Sequence, residues 1–279
     1  MTPETAWASS TDGTRIAVHD FGGDGAALMI CHATGMHANC YRPLLPVLTR
    51  SHRVFAVDLR GHGASQIDPD AEFSWHDFAA DYLAAVDLVT DGSREPILSF
   101  GHSMGGCTIL LAEAARPGTV AQAWIYEPIV FPPEVQPRKS AMADNASRRR
   151  SVFGSRAEAL ERYAARPPMS RLRADALASY VEHGFVDQPD GTVRLACRPQ
   201  HEAMTFAGAK IPIAEVATVT IPVAVGKGYT ADMPSAADFA EGVARGLPGG
   251  ELVNYSDLGH FGPLEAPDRI AADVGRWFA

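Results

Sequence analysis

The sequence predicts an α/β protein: a mostly parallel central sheet flanked by helices, with a helical cap inserted into it. Three observations predict this. Short apolar runs alternate with helix-like stretches over residues 27–126, the alternation stops between 131 and 210, and it then resumes to the end of the chain. Such alternation marks βαβ units around a parallel sheet. Residues 1–130 and 211–279 are therefore assigned to one core domain and 131–210 to a cap subdomain. A chain of 279 residues can bury a single large core.

The elements follow in order. "ALMICHA" (27–33), "RVFAVDL" (53–59), "PILSFGH" (96–102) and "VAQAWIY" (120–126) are the apolar runs expected of strands covered on both faces. "SWHDFAADYLAAVDLV" places Trp75, Phe78, Ala79, Tyr82, Leu83 and Val86 on one helical face, with Ser74 as N-cap. "MGGCTILLAEAAR" is a second helix, ending at Arg116 because Pro117 cannot continue it. Pro132, Pro133 and Pro137 open the cap, "RPP" (166–168) interrupts it, and "AEALERYAAR" and "RADALASYVEHG" are its short helices. The core resumes with the strand "IPVAVG" (221–226), a helix near "AADFAEGVARGL", the strand "ELVNYS" (251–256) and a last helix, "APDRIAADVGRWF".

Composition narrows the function class. With 46% hydrophobic and 20% charged residues the chain is that of a globular protein. A net charge of -9 argues against a nucleic-acid partner, since phosphate neutralisation needs a basic surface. No apolar run approaches 18 residues and the start "MTPETAWASSTDG" lacks a signal-peptide pattern, so neither a membrane nor export is expected, and the location expected is the cytoplasm. Cys31, Cys40, Cys107 and Cys197 are few and irregularly spaced, which predicts reduced thiols. The charge is unevenly spread: residues 138–173 carry ten Lys or Arg against Asp144, Glu158 and Glu161. Such a run is an ordinary solvated face or a surface that steers an anionic substrate.

"SFGHSMGGCT" (99–108) raises the question of chemistry. A Gly-x-Ser-x-Gly string alone turns up by chance in roughly one chain in ten of this length. Here it lies between a strand and a helix, the context in which a serine occupies a sharp turn and exposes its hydroxyl. Serine is a poor nucleophile and needs a base, an acid that orients the base, and donors for the oxyanion. His260, in "ELVNYSDLGHFGPLEAP", follows the last strand and is the candidate base. Oxyanion donors are the backbone N–H groups of Met104, next after Ser103, and of Thr34 in "CHATGMH".

As an ordered set, "HATG", "DLRGHGAS", "GHSMGG" and "LGHFGPLEAP" resemble a serine hydrolase of the α/β-hydrolase fold, over most of residues 10–130 and 215–279. "HATG" differs from the commoner His-Gly form at Ala33. The resemblance implies structural roles for Asp58 and His62. It also implies a triad acid, for which two carboxylates compete. Asp232 in "VAVGKGYTADMP" lies 28 residues before His260 but seven beyond Val225. Glu127 stands directly at the end of "AWIY", a strand end that some related enzymes use, and is preferred.

The reaction expected is hydrolysis of a carboxylic ester or lactone through an acyl-enzyme. The alternatives are carbon-carbon bond hydrolysis of a diketone-like substrate and a small-molecule receptor that kept the pocket. A small-molecule substrate is the partner expected, and a homo-oligomer is left open. No dinucleotide or Walker fingerprint is present, so no cofactor is implied. Cys31, His32, His37 and Cys40 crowd one decapeptide, but only His37 and Cys40 have zinc-ligand spacing, and no metal is expected.

Overall fold

The computed structural model describes residues 3–133, 141–229 and 234–279. An N-terminal antiparallel hairpin, β1 (Glu4–Ser9) and β2 (Arg15–Asp20), precedes the central strand β3 (Ala26–Cys31). A short helix α1 (Leu45–Leu48), β4 (His52–Asp58), α2 (Trp75–Val89), β5 (Ile97–His102), α3 (Met104–Ala115) and β6 (Val120–Tyr126) follow. In α2, Ser74 and Asp77 form a reciprocal capping box, which satisfies amide groups that the first turn leaves without partners.

The chain then leaves the core. The insertion holds α4 (Ala141–Ser147), β7 (Val152–Phe153), α5 (Arg156–Ala164), α6 (Ala174–His183), β8 (Phe185–Asp187), β9 (Val193–Leu195) and α7 (Pro199–Gly208). Its neck is narrow: Phe131 pairs with the strand leading to Pro212, exchanging backbone bonds of 2.8 and 2.9 Å with Ile211 and Ile213. β7, β9 and β8 form a small antiparallel sheet inside it, which the reading as a helical cap did not anticipate. The core is completed by β10 (Val223–Gly228), α8 (Pro234–Gly246), β11 (Gly250–Tyr255), α9 (Gly262–Glu265) and α10 (Pro267–Trp277).

Eight strands form one sheet in the order β1-β2-β4-β3-β5-β6-β10-β11, parallel from β4 to β11. Apolar side chains of β3, β5 and β6 alternate between two packed layers. Met29, Ile97 and Ile125 face α2, α3 and α8; Leu28, Phe100 and Trp124 face α1 and α10. Each such side chain, fully buried, contributes about 1.5–3 kcal/mol. Both layers therefore hold β5 at the centre of the sheet, and Ser103 follows its last residue, His102. Among the described residues no helix is long and apolar enough to cross a membrane.

Candidate active site

Ser103 sits between β5 and α3 with φ +56° and ψ −114°. That conformation is strained for any residue with a Cβ and turns the hydroxyl out of the sheet. The flanking glycines make it attainable. A Cβ on Gly101 would lie 2.7 Å from the Gly106 backbone, and one on Gly105 would overlap the Cys31 carbonyl. The Ser103 amide donates to the Tyr126 carbonyl at 2.8 Å, tying the turn to β6.

One residue beyond Tyr126, Glu127 also has a positive φ of +43°, while its amide donates to the Gly226 carbonyl of β10 at 2.9 Å. Its carboxylate is fully buried. Oε1 accepts from the Gly228 amide at 2.8 Å, and Oε2 accepts from His260 Nδ1 at 2.7 Å. Because a carboxylate only accepts, Nδ1 carries the imidazole proton and Nε2 is left as an acceptor. Ser103 Oγ lies 3.1 Å from Nε2 and donates to it. The structure thus brings Ser103, His260 and Glu127 into one relay. Asp232 lies outside the described residues.

The His260 loop is fixed from three sides. The Tyr126 hydroxyl donates to the Gly259 carbonyl at 2.8 Å, and the Gly259 amide donates to Glu265 Oε2 at 3.1 Å. The third tie comes from the neighbour of the serine. The Ala33 amide donates to the Tyr41 hydroxyl at 3.1 Å, Tyr41 donates onward to His102 Nδ1 at 2.8 Å, and His102 Nε2 donates to the His260 carbonyl at 2.7 Å. Burial and the nearby His260 push the His102 pKa well below the usual histidine range, so this chain is a neutral one. It joins three loops around the serine. Sequence reasoning assigned Tyr41 and His102 no part in the site, and no motif in the sequence marks either.

The loop after β3 supplies the expected donors. Thr34 is half-buried beside Ser103, Met104 opens α3, and neither backbone amide has a protein acceptor among the described residues. The first amides of a helix have no intrahelical acceptor, so that of Met104 remains free for a ligand. Asp58 holds the same loop from below, accepting from the amides of Ala38 at 2.7 Å and Ala64 at 2.8 Å and from His19 Nε2 at 2.9 Å. Burial alone would raise the pKa of Asp58, but the His19 hydrogen bond and the surrounding histidines hold it far below the usual carboxylate range. His62 is buried, with Nδ1 donating to the Arg60 carbonyl at 3.0 Å. His32 has both ring nitrogens engaged: Nδ1 donates to the Ala33 carbonyl and Nε2 accepts from the Leu59 amide.

Above Ser103 lies a cavity of about 1190 Å³ between core and cap. Phe153, Tyr163, Met169 and Tyr180 of the cap line it, whereas Phe185 packs behind Phe153 at a ring separation of 5.6 Å. At its edge Arg149 donates to Glu202 at 2.6 Å and to the hydroxyls of Tyr163 and Tyr180 at 3.0 and 3.1 Å. Glu202 packs against Gly35, whose φ of +73° and lack of a Cβ let that carboxylate approach the Thr34 loop.

Comparison with known proteins agrees with this architecture. The model of the alpha/beta hydrolase family matches residues 28–273. Monoglyceride lipase of Homo sapiens is 34% identical over 108 residues, 38% of this chain and 36% of the lipase. The chain thus spans only about a third of the length of that relative. A 2-(acetamidomethylene)succinate hydrolase of Mesorhizobium japonicum is 27% identical over 222 residues, 78% of this chain and 76% of the relative. The crystal structure of an E-2-(acetamidomethylene)succinate hydrolase superposes with a TM-score of 0.82 at 22% identity, covering 99% of both chains, and so shares the fold. This chain belongs to the alpha/beta hydrolase family.

Proposed function

We propose that this protein is a serine hydrolase that cleaves a carboxylic ester or lactone. The observation that carries the reading is the relay from Ser103 Oγ through His260 to Glu127, with separations of 3.1 and 2.7 Å. The relay matches what an activated serine needs: a base within hydrogen-bond reach and a buried acid that fixes its tautomer.

In the first half-reaction His260 Nε2 takes the Ser103 proton as Oγ bonds to the substrate carbonyl carbon. The amides of Thr34 and Met104 receive the oxyanion. Collapse of the tetrahedral intermediate breaks the bond to the leaving alkoxide, which takes the proton from His260 and departs as an alcohol. In the second half-reaction His260 removes a proton from water, the hydroxide attacks the acyl-enzyme, and Oγ leaves with that proton. A carboxylic acid and free Ser103 result. Glu127 stays ionised throughout and stabilises the imidazolium. The names of the relatives, a lipase and a hydrolase, support hydrolytic chemistry.

The test is turnover of a panel of 4-nitrophenyl esters of increasing acyl length. Ser103→Ala is expected to remove turnover at every length while the protein keeps its thermal transition. Turnover that survives in a folded Ser103→Ala protein would falsify the assignment.

A further inference from the structure

Acyl transfer does not account for the charge on the cap side of the cavity. Arg148, Arg149, Arg150, Arg162 and Arg166 line it, facing one acid among the described lining residues, Glu202. Glu202 pairs with Arg149 at 2.6 Å, and Arg150 pairs with Glu158 at 2.7 Å. Among the described residues Arg148 and Arg166 make no ion pair, and Arg162 feels Glu158 only beyond bonding range. Three guanidinium groups thus border one cavity without a bonded counter-charge among the described residues.

The surplus is local. The chain as a whole carries -9, so a positive wall is not a by-product of a basic composition. Each arginine lies in or just beyond the last turn of its helix, α4 for Arg148 and α5 for Arg162 and Arg166. There the negative end of the helix dipole lowers the cost of holding a cation without a carboxylate partner. A guanidinium fork kept free in this way is suited to a carboxylate or phosphate, which it binds through paired charge-assisted hydrogen bonds. Apolar side chains, Trp75, Ile129, Phe131 and Phe239 among them, make up another part of the wall.

We infer that the acyl substrate carries a second, ionised acid group at its far end, seated on Arg148, Arg162 and Arg166, with an apolar chain between that group and the carbonyl at Ser103. This rests on the acyl-transfer reading of the site. The shared chemistry is an acid anion; carboxylate and phosphate are its two sources.

Three matched esters test it: 4-nitrophenyl pentanoate, mono-4-nitrophenyl glutarate and 4-nitrophenyl 4-phosphonobutanoate. One of the two anionic esters is expected to exceed the neutral one in kcat/KM by about tenfold or more, the scale of one hydrogen bond to a charged group. Which of them is faster identifies the source. Raising the ionic strength should erode that advantage, and the double variant Arg162→Gln/Arg166→Gln should bring the ratio of anionic to neutral ester close to one. A neutral ester that is hydrolysed as fast as both anionic ones, or a ratio untouched by the double variant, overturns the inference. Calorimetry with glutarate, using 1,5-pentanediol as the uncharged comparator, separates the two readings. If no ester is turned over, the hydrolase reading falls, and glutarate binding that is lost in the double variant still supports the subsite. Glutarate that binds no better than the diol overturns it.

Discussion

At the scale of single residues the site depends on two backbone positions that side chains rarely occupy, Ser103 at φ +56° and Glu127 at φ +43°. Each costs on the order of 1–3 kcal/mol, and neighbouring hydrogen bonds must offset it. The Tyr41 hydroxyl is one of the groups that supply such bonds, since it joins the Ala33 amide to His102. Tyr41→Phe strands both buried partners, and a loss of about 1–3 kcal/mol is expected, read as a lower urea midpoint with an unchanged slope. A midpoint that does not move contradicts the role given to this chain. Ser103 was legible in the sequence because its turn demands glycines at fixed offsets. Glu127 was preferred to Asp232 only for its place at a strand end, because sequence separation says nothing about where a side chain points. No glycine marks the positive φ that aims Glu127 at His260.

At the scale of elements, two helical glycines differ in what they do: one sets where α3 lies and the other is unconstrained. A Cβ at Gly105 would overlap the Cys31 carbonyl, so the close approach of α3 to β3 requires glycine there. At Gly275 in α10 a Cβ meets nothing within 4 Å. The same substitution should therefore act in opposite directions. Gly105→Ala lowers the melting temperature and ester turnover together, whereas Gly275→Ala raises stability by about 0.5–1 kcal/mol through lost chain entropy. Thermal unfolding of the two variants side by side checks this, and a harmless Gly105→Ala would contradict the packing described. The central strands and α2, α3 and α10 were legible because burial on both faces, or on one helical face, leaves a regular apolar pattern. β1 is mostly exposed and leaves none. The cap strands, two and three residues long, are too short to show a period.

At the scale of the whole molecule, buried histidines set the response to acid, His32, His37, His62 and His102 among them. Burial lowers the pKa of His32, His37, His62 and His102, to about 4 for His37 and about 3 for His62. In the unfolded chain each would titrate near its ordinary value of about 6.5. Below that pH the unfolded state binds protons that the folded state refuses, so stability falls as pH falls, by about 1.4 kcal/mol per pH unit for each such proton. The loss should begin near pH 6.5 and continue to about 4 for His37 and about 3 for His62. Asp58 has the depressed pKa of a paired carboxylate, so its contribution stays intact down to about pH 4 and is lost at lower pH. Urea unfolding across the window reads the slope, and a stability that stays flat from about pH 7 to about 5 contradicts it. None of this was legible in the sequence: the histidines were visible, but their burial is a property of the packed fold.

The central claim is that folding gives Glu127, at the end of β6, the task of orienting His260. The most direct test measures kcat for Glu127→Gln and Asp232→Asn with one ester under the same conditions. The account predicts a fall of about 10⁴ for Glu127→Gln, the loss seen when a triad acid becomes an amide, with Asp232→Asn close to the unmodified protein. Collapse of Asp232→Asn alongside an active Glu127→Gln would contradict it.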